Sequence, residues 1–223
     1  MKTTLTYYGH STFALTHDDV TLVVDPFFTG NTWEKAKAED ISCKYIFVSH
    51  AHGDHYGDCD IIAKANDALV ISTAEVAHKA EEAGCRAHAM HLGGKFDFEF
   101  GYIRLVPAFH GSGIAGGHAA GVIIKFYDTV IYYAGDTALF SDMKLINRFE
   151  DIDYALLPIG DNYTMGIEDA ITAASWIKAA VTIPIHYKTW PVIDKDPQVF
   201  AALLETKHKQ ASLVVDPGKT ITL

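Results

Sequence analysis

The chain has 223 residues, 49% of them hydrophobic and 21% charged, with a formal net charge of −10. At this length folding buries roughly 72% of the unfolded chain's surface, enough for one large core, and so ordinary a composition excludes a disordered, collagen-like or coiled-coil chain. The acidic excess repels phosphate backbones and anionic headgroups, so neither nucleic acid nor a membrane is an expected partner.

Short β-branched and aromatic runs predict strands over 5–8, 12–16, 20–24 and 44–49. A short helix over 61–66 and a strand over 69–72 follow, then a helix over 74–83 that Gly84 stops. Further strands are expected over 96–100, 103–107, 121–126 and 130–134, with Asp128-Thr129 turning a hairpin between the last two. Ser141 is placed to cap a helix running to Arg148. The remainder alternates: strand 154–158, a helix from Gly166 to about Lys178, strand 181–185, a helix over 197–208 with proline in its first turn, and strands at 213–215 and 220–223. Strand runs followed by strand–helix alternation point to an α/β sandwich with mixed sheets. With no linker, low-complexity stretch or repeat of fixed period, a single domain over 1–223 is expected.

The three cysteines are odd in number and lack C-x-x-C spacing, so they read as reduced thiols of a cytoplasmic protein. The first ten residues hold no apolar stretch long enough for a signal peptide, and no run approaches the roughly 18 apolar residues of a membrane span.

The chemistry concentrates in His50-Ala51-His52-Gly53-Asp54-His55, directly after the apolar strand Lys44-Tyr45-Ile46-Phe47-Val48-Ser49. Four ligand-type side chains so close together cannot all reach one ion without strain. A tight loop can send His50 and His52 to one metal and Asp54 and His55 to a second, and Gly53 allows it unusual backbone angles. His110, Asp136 and His186 each follow a later apolar run, which would bring them to the same sheet edge. The resulting set is His50, His52 and His110 for one ion, Asp54, His55 and His186 for the other, and Asp136 between them. Imidazole and carboxylate ligands suit zinc, with manganese, iron or nickel as alternatives. Asp54 is the natural group to orient a metal-activated water or relay its proton. His10 ends the first strand and is a candidate catalytic neighbour, against a capping or core role. His118, in a glycine-rich loop, and Asp161, after strand 154–158, are candidate substrate contacts. Asp25 either hydrogen-bonds a ligand histidine or makes an Asp-Pro turn. Met165 and Trp190 either line the pocket or pack in the core.

In order and spacing these residues resemble the metallo-β-lactamase-fold superfamily. The closer likeness is to a family of compact bacterial metal-dependent hydrolases of undefined substrate, related to the ascorbate-6-phosphate lactonase group. It is carried by Gly9-His10-Ser11, Asp25-Pro26-Phe27, Tyr133-Ala134-Gly135-Asp136-Thr137, Leu157-Pro158-Ile159-Gly160-Asp161, Thr164-Met165-Gly166 and the stretch from Pro184 to Pro191. The resemblance implies a four-layer αββα sandwich with the metal site at one edge.

The function expected is hydrolysis of an ester, lactone or phosphodiester bond in a small soluble substrate, by a binuclear enzyme whose oligomeric state, homo-oligomers included, is left open. Two other classes compete. A di-iron oxidoreductase on the same fold tends to replace His52 with a carboxylate and to add a flavin domain. A non-catalytic metal-binding module would have a closed, usually cysteine-rich site.

Overall fold

The computed structural model describes residues 2–223. In chain order it runs β1 (Thr4–Gly9), β2 (Thr12–His17), β3 (Val20–Val24), β4 (Tyr45–Phe47), α1 (Gly53–Tyr56), α2 (Cys59–Asn66), β5 (Leu69–Thr73), α3 (Ala74–Glu82) and β6 (Arg86–Met90). It continues with β7 (Lys95–Phe98), β8 (Gly101–Pro107), β9 (Ala120–Phe126), β10 (Thr129–Tyr133), β11 (Tyr154–Pro158), α4 (Ile167–Ile177), β12 (Val181–Ile185), α5 (Pro197–His208), β13 (Ala211–Ser212) and β14 (Lys219–Thr222).

These strands form two seven-stranded sheets, ordered β14-β1-β2-β3-β4-β5-β6 and β13-β12-β11-β10-β9-β8-β7. Each sheet is half antiparallel and half parallel. In the first, pairing is antiparallel from β14 to β3 and parallel from β3 to β6. In the second it is parallel from β13 to β10 and antiparallel from β10 to β7. The helices fall in the parallel halves because parallel neighbours need a long crossover.

Alternation along the strands sorts the side chains into layers. Phe47 enters the core between the sheets with Leu5, Phe13, Leu22, Ile103, Val122 and Ile131. Its neighbours Ile46 and Val48 point the other way, onto Ile62 of α2 and Val76 and Ala80 of α3. On the far side, Ile123, Tyr132 and Leu157 meet Ala170, Ala174 and Ile177 of α4 and Phe200 of α5. Helices thus cover both outer faces, which is the αββα sandwich expected. Strands buried on two faces read as continuous apolar runs, as 44–49 does. Among the described residues, no helix is long and apolar enough to cross a membrane.

Some elements differ from the sequence reading. Segment Ser141–Arg148 is 3-10 helix, not α, and Phe140 precedes it without a side-chain cap. The Ser141 hydroxyl is drawn to Asp142 Oδ1 at 3.1 Å. Strand β6 was not expected, because Arg86-Ala87-His88-Ala89-Met90 contains no β-branched residue. The pairing beside β12 lies at Ala211–Ser212, ahead of the expected 213–215.

Segment 25–29 and the turn between α1 and α2 are stapled together. Asp58 Oδ2 accepts from Phe28 N at 2.9 Å and Thr29 N at 2.8 Å, and Asp58 N donates to Pro26 O at 2.8 Å. Gly57, at φ +43 and ψ −119, makes that approach feasible. A Cβ there would sit 2.5 Å from Pro26 O. Gly57→Ala should therefore cost about 1–3 kcal/mol. A calorimetric midpoint several degrees below wild type is expected, since each kcal/mol shifts a domain of this size by about 2–4 °C. An unchanged midpoint would show that the segment moves aside freely.

Candidate metal centre

One end of the two sheets gathers the ligand-type side chains. His10 follows β1, His50 and His52 follow β4, α1 carries Asp54 and His55, and His110, Asp136 and His186 lie just past β8, β10 and β12. Loops at strand ends hold such groups on a rigid frame.

Their ligand atoms form three overlapping groups, within each of which all atoms lie within 4.8 Å of one another: His50, His52 and His110; His50, His55 and Asp136; and His10, Asp54, His55 and His186. In the first, His50 Nε2 and His52 Nδ1 are 2.9 Å apart. Asp136 spans the groups. Its Oδ1 is 3.3 Å from His55 Nε2, and its Oδ2 is 3.2 Å from His186 Nε2 and 3.5 Å from His110 Nε2. Asp54 Oδ2 lies 3.1 Å from His10 Nε2, 3.8 Å from His55 Nε2 and 3.9 Å from His186 Nε2.

A buried carboxylate sits behind the histidines. Asp25 Oδ2 accepts from His55 Nδ1 at 2.6 Å, from Ser49 Oγ at 2.6 Å and from the Tyr133 hydroxyl, and Oδ1 accepts from Ser49 N at 2.7 Å. Since the Ser49 hydroxyl donates to Asp25, its oxygen accepts from His50 Nδ1, 3.0 Å away. One carboxylate thereby keeps the proton of both rings on Nδ1 and turns both Nε2 atoms toward the cluster.

The electrostatics favour a cation. Burial disfavours charge on Asp136, but His186 and His55 outweigh it and hold its pKa well below the ordinary carboxylate value. Burial likewise disfavours charge on His55, but Asp136 and Asp25 outweigh it and raise its pKa well above the ordinary value. Burial, reinforced by His55, keeps His50 neutral. A proton on His55 thus stands where carboxylates demand positive charge, and a metal would displace it.

The residues fit divalent ions. His55 Nε2, Asp136 Oδ1 and His186 Nε2 are buried without a hydrogen-bond partner. Leaving such atoms unsatisfied costs about 1–3 kcal/mol each, which coordination would remove. The nitrogen and oxygen donor set, free of thiolate, suits zinc, manganese, iron or nickel.

His10 differs from its neighbours. Burial, aided by His186, lowers its pKa to about 4. The neutral ring donates Nε2–H to Asp54 Oδ2 at 3.1 Å and accepts from the Thr189 hydroxyl at Nδ1, 2.8 Å away. A nitrogen engaged in that way has no lone pair for an ion. His10 is fully buried and does not line the cavity, which it reaches only through its hydrogen bond to Asp54.

A cavity of about 720 Å³ opens over the centre. His52, Asp54, His110 and Asp136 line it together with Phe27, Tyr163, Trp190 and Val192. His118 and Asp161 do not line it. Loop 111–119 meets the site through its beginning, where Ala51 N donates to Ser112 O at 2.8 Å, and His118 is exposed beyond. Asp161 points away to Lys195 Nζ at 3.0 Å, and its turn delivers Tyr163 instead. Met165 is fully buried in the outer core of the second sheet. The sequence reading passed over Phe27, Tyr163 and Val192. For Tyr163 the usable signal was a loop leaving the C-terminal end of a parallel strand, where ligands of open α/β sheets bind.

Two sheets faced by helices, with a histidine- and aspartate-rich centre at one edge, define a metallo-β-lactamase-fold protein. A profile of the Beta-lactamase superfamily domain matches residues 4–186. The chain is 45% identical over 219 residues to a UPF0173 metal-dependent hydrolase from Natranaerobius thermophilus, covering 98% of this chain and 99% of that protein. It is 45% identical over 228 residues to the UPF0173 metal-dependent hydrolase YtkL of Bacillus subtilis, with the same coverage. The solved structure of Igni18, a metallo hydrolase from the archaeon Ignicoccus hospitalis, superposes with a TM-score of 0.93 at 34% identity, covering 100% of this chain and 99% of that one. The chain belongs to the UPF0173 family of metal-dependent hydrolases.

Proposed function

We propose that the protein, acting as one domain, is a binuclear hydrolase that cleaves an ester, lactone or phosphodiester bond of a small substrate. His50, His52 and His110 would hold one divalent ion, Asp54, His55 and His186 the other, and Asp136 both; zinc is the first candidate. Bound ions of this kind supply an ionised water at neutral pH and draw electron density from the scissile group. The chain's own residues do the rest. Burial raises the Asp54 pKa, but the His10 hydrogen bond and His55 outweigh it and lower it overall, so this cavity-lining carboxylate stays ionised, suited to holding a cation and to orienting a water by accepting its hydrogen bond. His10, fixed by Thr189, sets its orientation.

The observation that supports this reading most is the trio of buried, unpartnered atoms His55 Nε2, Asp136 Oδ1 and His186 Nε2. Elemental analysis of protein purified without chelator, paired with hydrolysis of bis(4-nitrophenyl) phosphate and a lactone panel, tests it. About two ions per chain with metal-dependent turnover is the expected result. Two irons without hydrolysis would favour an oxidoreductase, and no ion after reconstitution would overturn the proposal.

His10→Ala should leave the metal content intact and lower kcat by roughly 10²-fold, the lower end of what a positioned proton-transfer group contributes. Loss of metal would make His10 a ligand, and unchanged kcat would remove it from the chemistry.

A further inference from the structure

The lining of the cavity over the centre is of two unlike kinds. Besides the histidines and aspartates it has an apolar, aromatic wall of Phe27, Trp190, Val192 and Tyr163, and among the described residues no lysine or arginine lines the space. Val192 and Tyr163 are 48% and 54% exposed. Large apolar side chains clustered at the rim of a pocket mark a surface that something covers.

The wall is pre-set. The Trp190 ring lies 4.9 Å from that of His10 and 6.3 Å from that of Phe27. Its backbone is pinned by Ile193 N to Trp190 O at 3.0 Å and Lys188 N to Ile193 O at 2.8 Å. The Thr32 hydroxyl, donating to Thr189 O at 2.8 Å, ties the same segment to the loop after β3. Lys195 Nζ lies 3.0 Å from Asp161 Oδ2, clasping the Tyr163 turn to the Trp190 segment.

We infer that the preferred substrate is an uncharged ester or lactone bearing an aromatic or similarly apolar group, which packs against Trp190, Val192 and Tyr163 while its carbonyl faces the metal-binding residues. The inference rests on the hydrolase reading above and narrows it. A volume of about 720 Å³ suits a small molecule. A second anionic group, such as a phosphate remote from the reacting bond, would lie against this wall with no cation to replace its lost water.

The test uses the metal-loaded protein and three lactones, each rate normalised to that with hydroxide: dihydrocoumarin (uncharged, aromatic), γ-butyrolactone (uncharged, small) and 6-phosphogluconolactone (anionic). Dihydrocoumarin should exceed the phosphorylated lactone in kcat/KM by about tenfold or more. Tyr163→Ala and Trp190→Ala should each lower the preference for dihydrocoumarin over γ-butyrolactone by about fivefold or more. Preference for the phosphorylated lactone, or an unchanged ratio in both variants, would overturn the inference. If none of the three is turned over, the hydrolase reading is what fails, and binding decides the wall. In an NMR titration with 4-nitrobenzyl alcohol, a Kd weakened about fivefold by Tyr163→Ala would sustain it, and an equal Kd would overturn it.

Discussion

Asp136→Ala should remove at least one ion per chain and lower kcat/KM by about 10³-fold or more. Its carboxylate is the group within 3.5 Å of three histidines, reaching His55 through one oxygen and His186 and His110 through the other. Deleting it leaves His55 and His186 with only the more distant Asp54, 3.8 and 3.9 Å away, for a carboxylate. A loss of several kcal/mol in transition-state stabilisation is expected of a disrupted metal centre, and about 4 kcal/mol is a thousandfold in rate. Asp136→Asn separates charge from shape: it fills the space yet cannot supply the negative charge, so it should resemble the alanine variant. Elemental analysis of the two variants beside wild type checks this, and wild-type metal content in both would overturn the bridging assignment.

Asp25→Asn should weaken metal binding by roughly 10–100-fold while preserving the fold, the usual scale for partners that orient a ligand. Asp25 is fully buried and accepts from Ser49 N, Ser49 Oγ, His55 Nδ1 and the Tyr133 hydroxyl. An amide in its place has one oxygen for that ring of donors and turns two N–H groups against the rest. His55, and His50 through Ser49, then lose the partner that keeps their Nε2 lone pairs facing the cluster. Asp25→Ala is harsher. It strands a histidine whose charge the carboxylate supports, and about 3–5 kcal/mol of stability should go with it. Competitive chelator titration measures the first effect and thermal melting the second. Full metal affinity in a folded Asp25→Asn protein would show that packing alone orients the rings.

The parts of the molecule legible in the sequence were those in which one local signal agrees with the global fold. His50, His52, Asp54 and His55 are contiguous, and His110, Asp136 and His186 each come at or soon after the end of an apolar strand, so strand ends alone suggest that they meet. The two outer helix layers follow from strands such as the one at 44–49, whose apolar stretch Tyr45-Ile46-Phe47-Val48 requires cover on both faces. What was not legible depends on distant partners. Strand β6 is polar enough to pass for a loop and is a strand because β5 offers it an edge. Segment Ser141–Arg148 has helical composition, yet it docks on α4 as 3-10 helix. Asp161 carries the signature of a pocket residue by position, but its ion pair with Lys195 turns it outward and presents Tyr163. For His10 the sequence left a catalytic neighbour and a capping or core role open, and its hydrogen bonds to Asp54 and Thr189 could be assigned only once β1 and the segment after β12 were seen together.

The first sheet is completed by the last strand. β14 pairs with β1, although every strand from β7 to β13 belongs to the other sheet. During synthesis from the N-terminus, β1 must wait with one hydrogen-bonding edge open until nearly the whole chain has emerged. His186 leaves the ribosome before residues 219–222 do, so a nascent chain has every candidate ligand in hand while that edge is still bare. The closing strand, Lys219-Thr220-Ile221-Thr222, is polar and carries a lysine at its start. A charged, short outer strand is a poor template for another chain. Its arrival ends the interval in which two newly made copies could pair through β1.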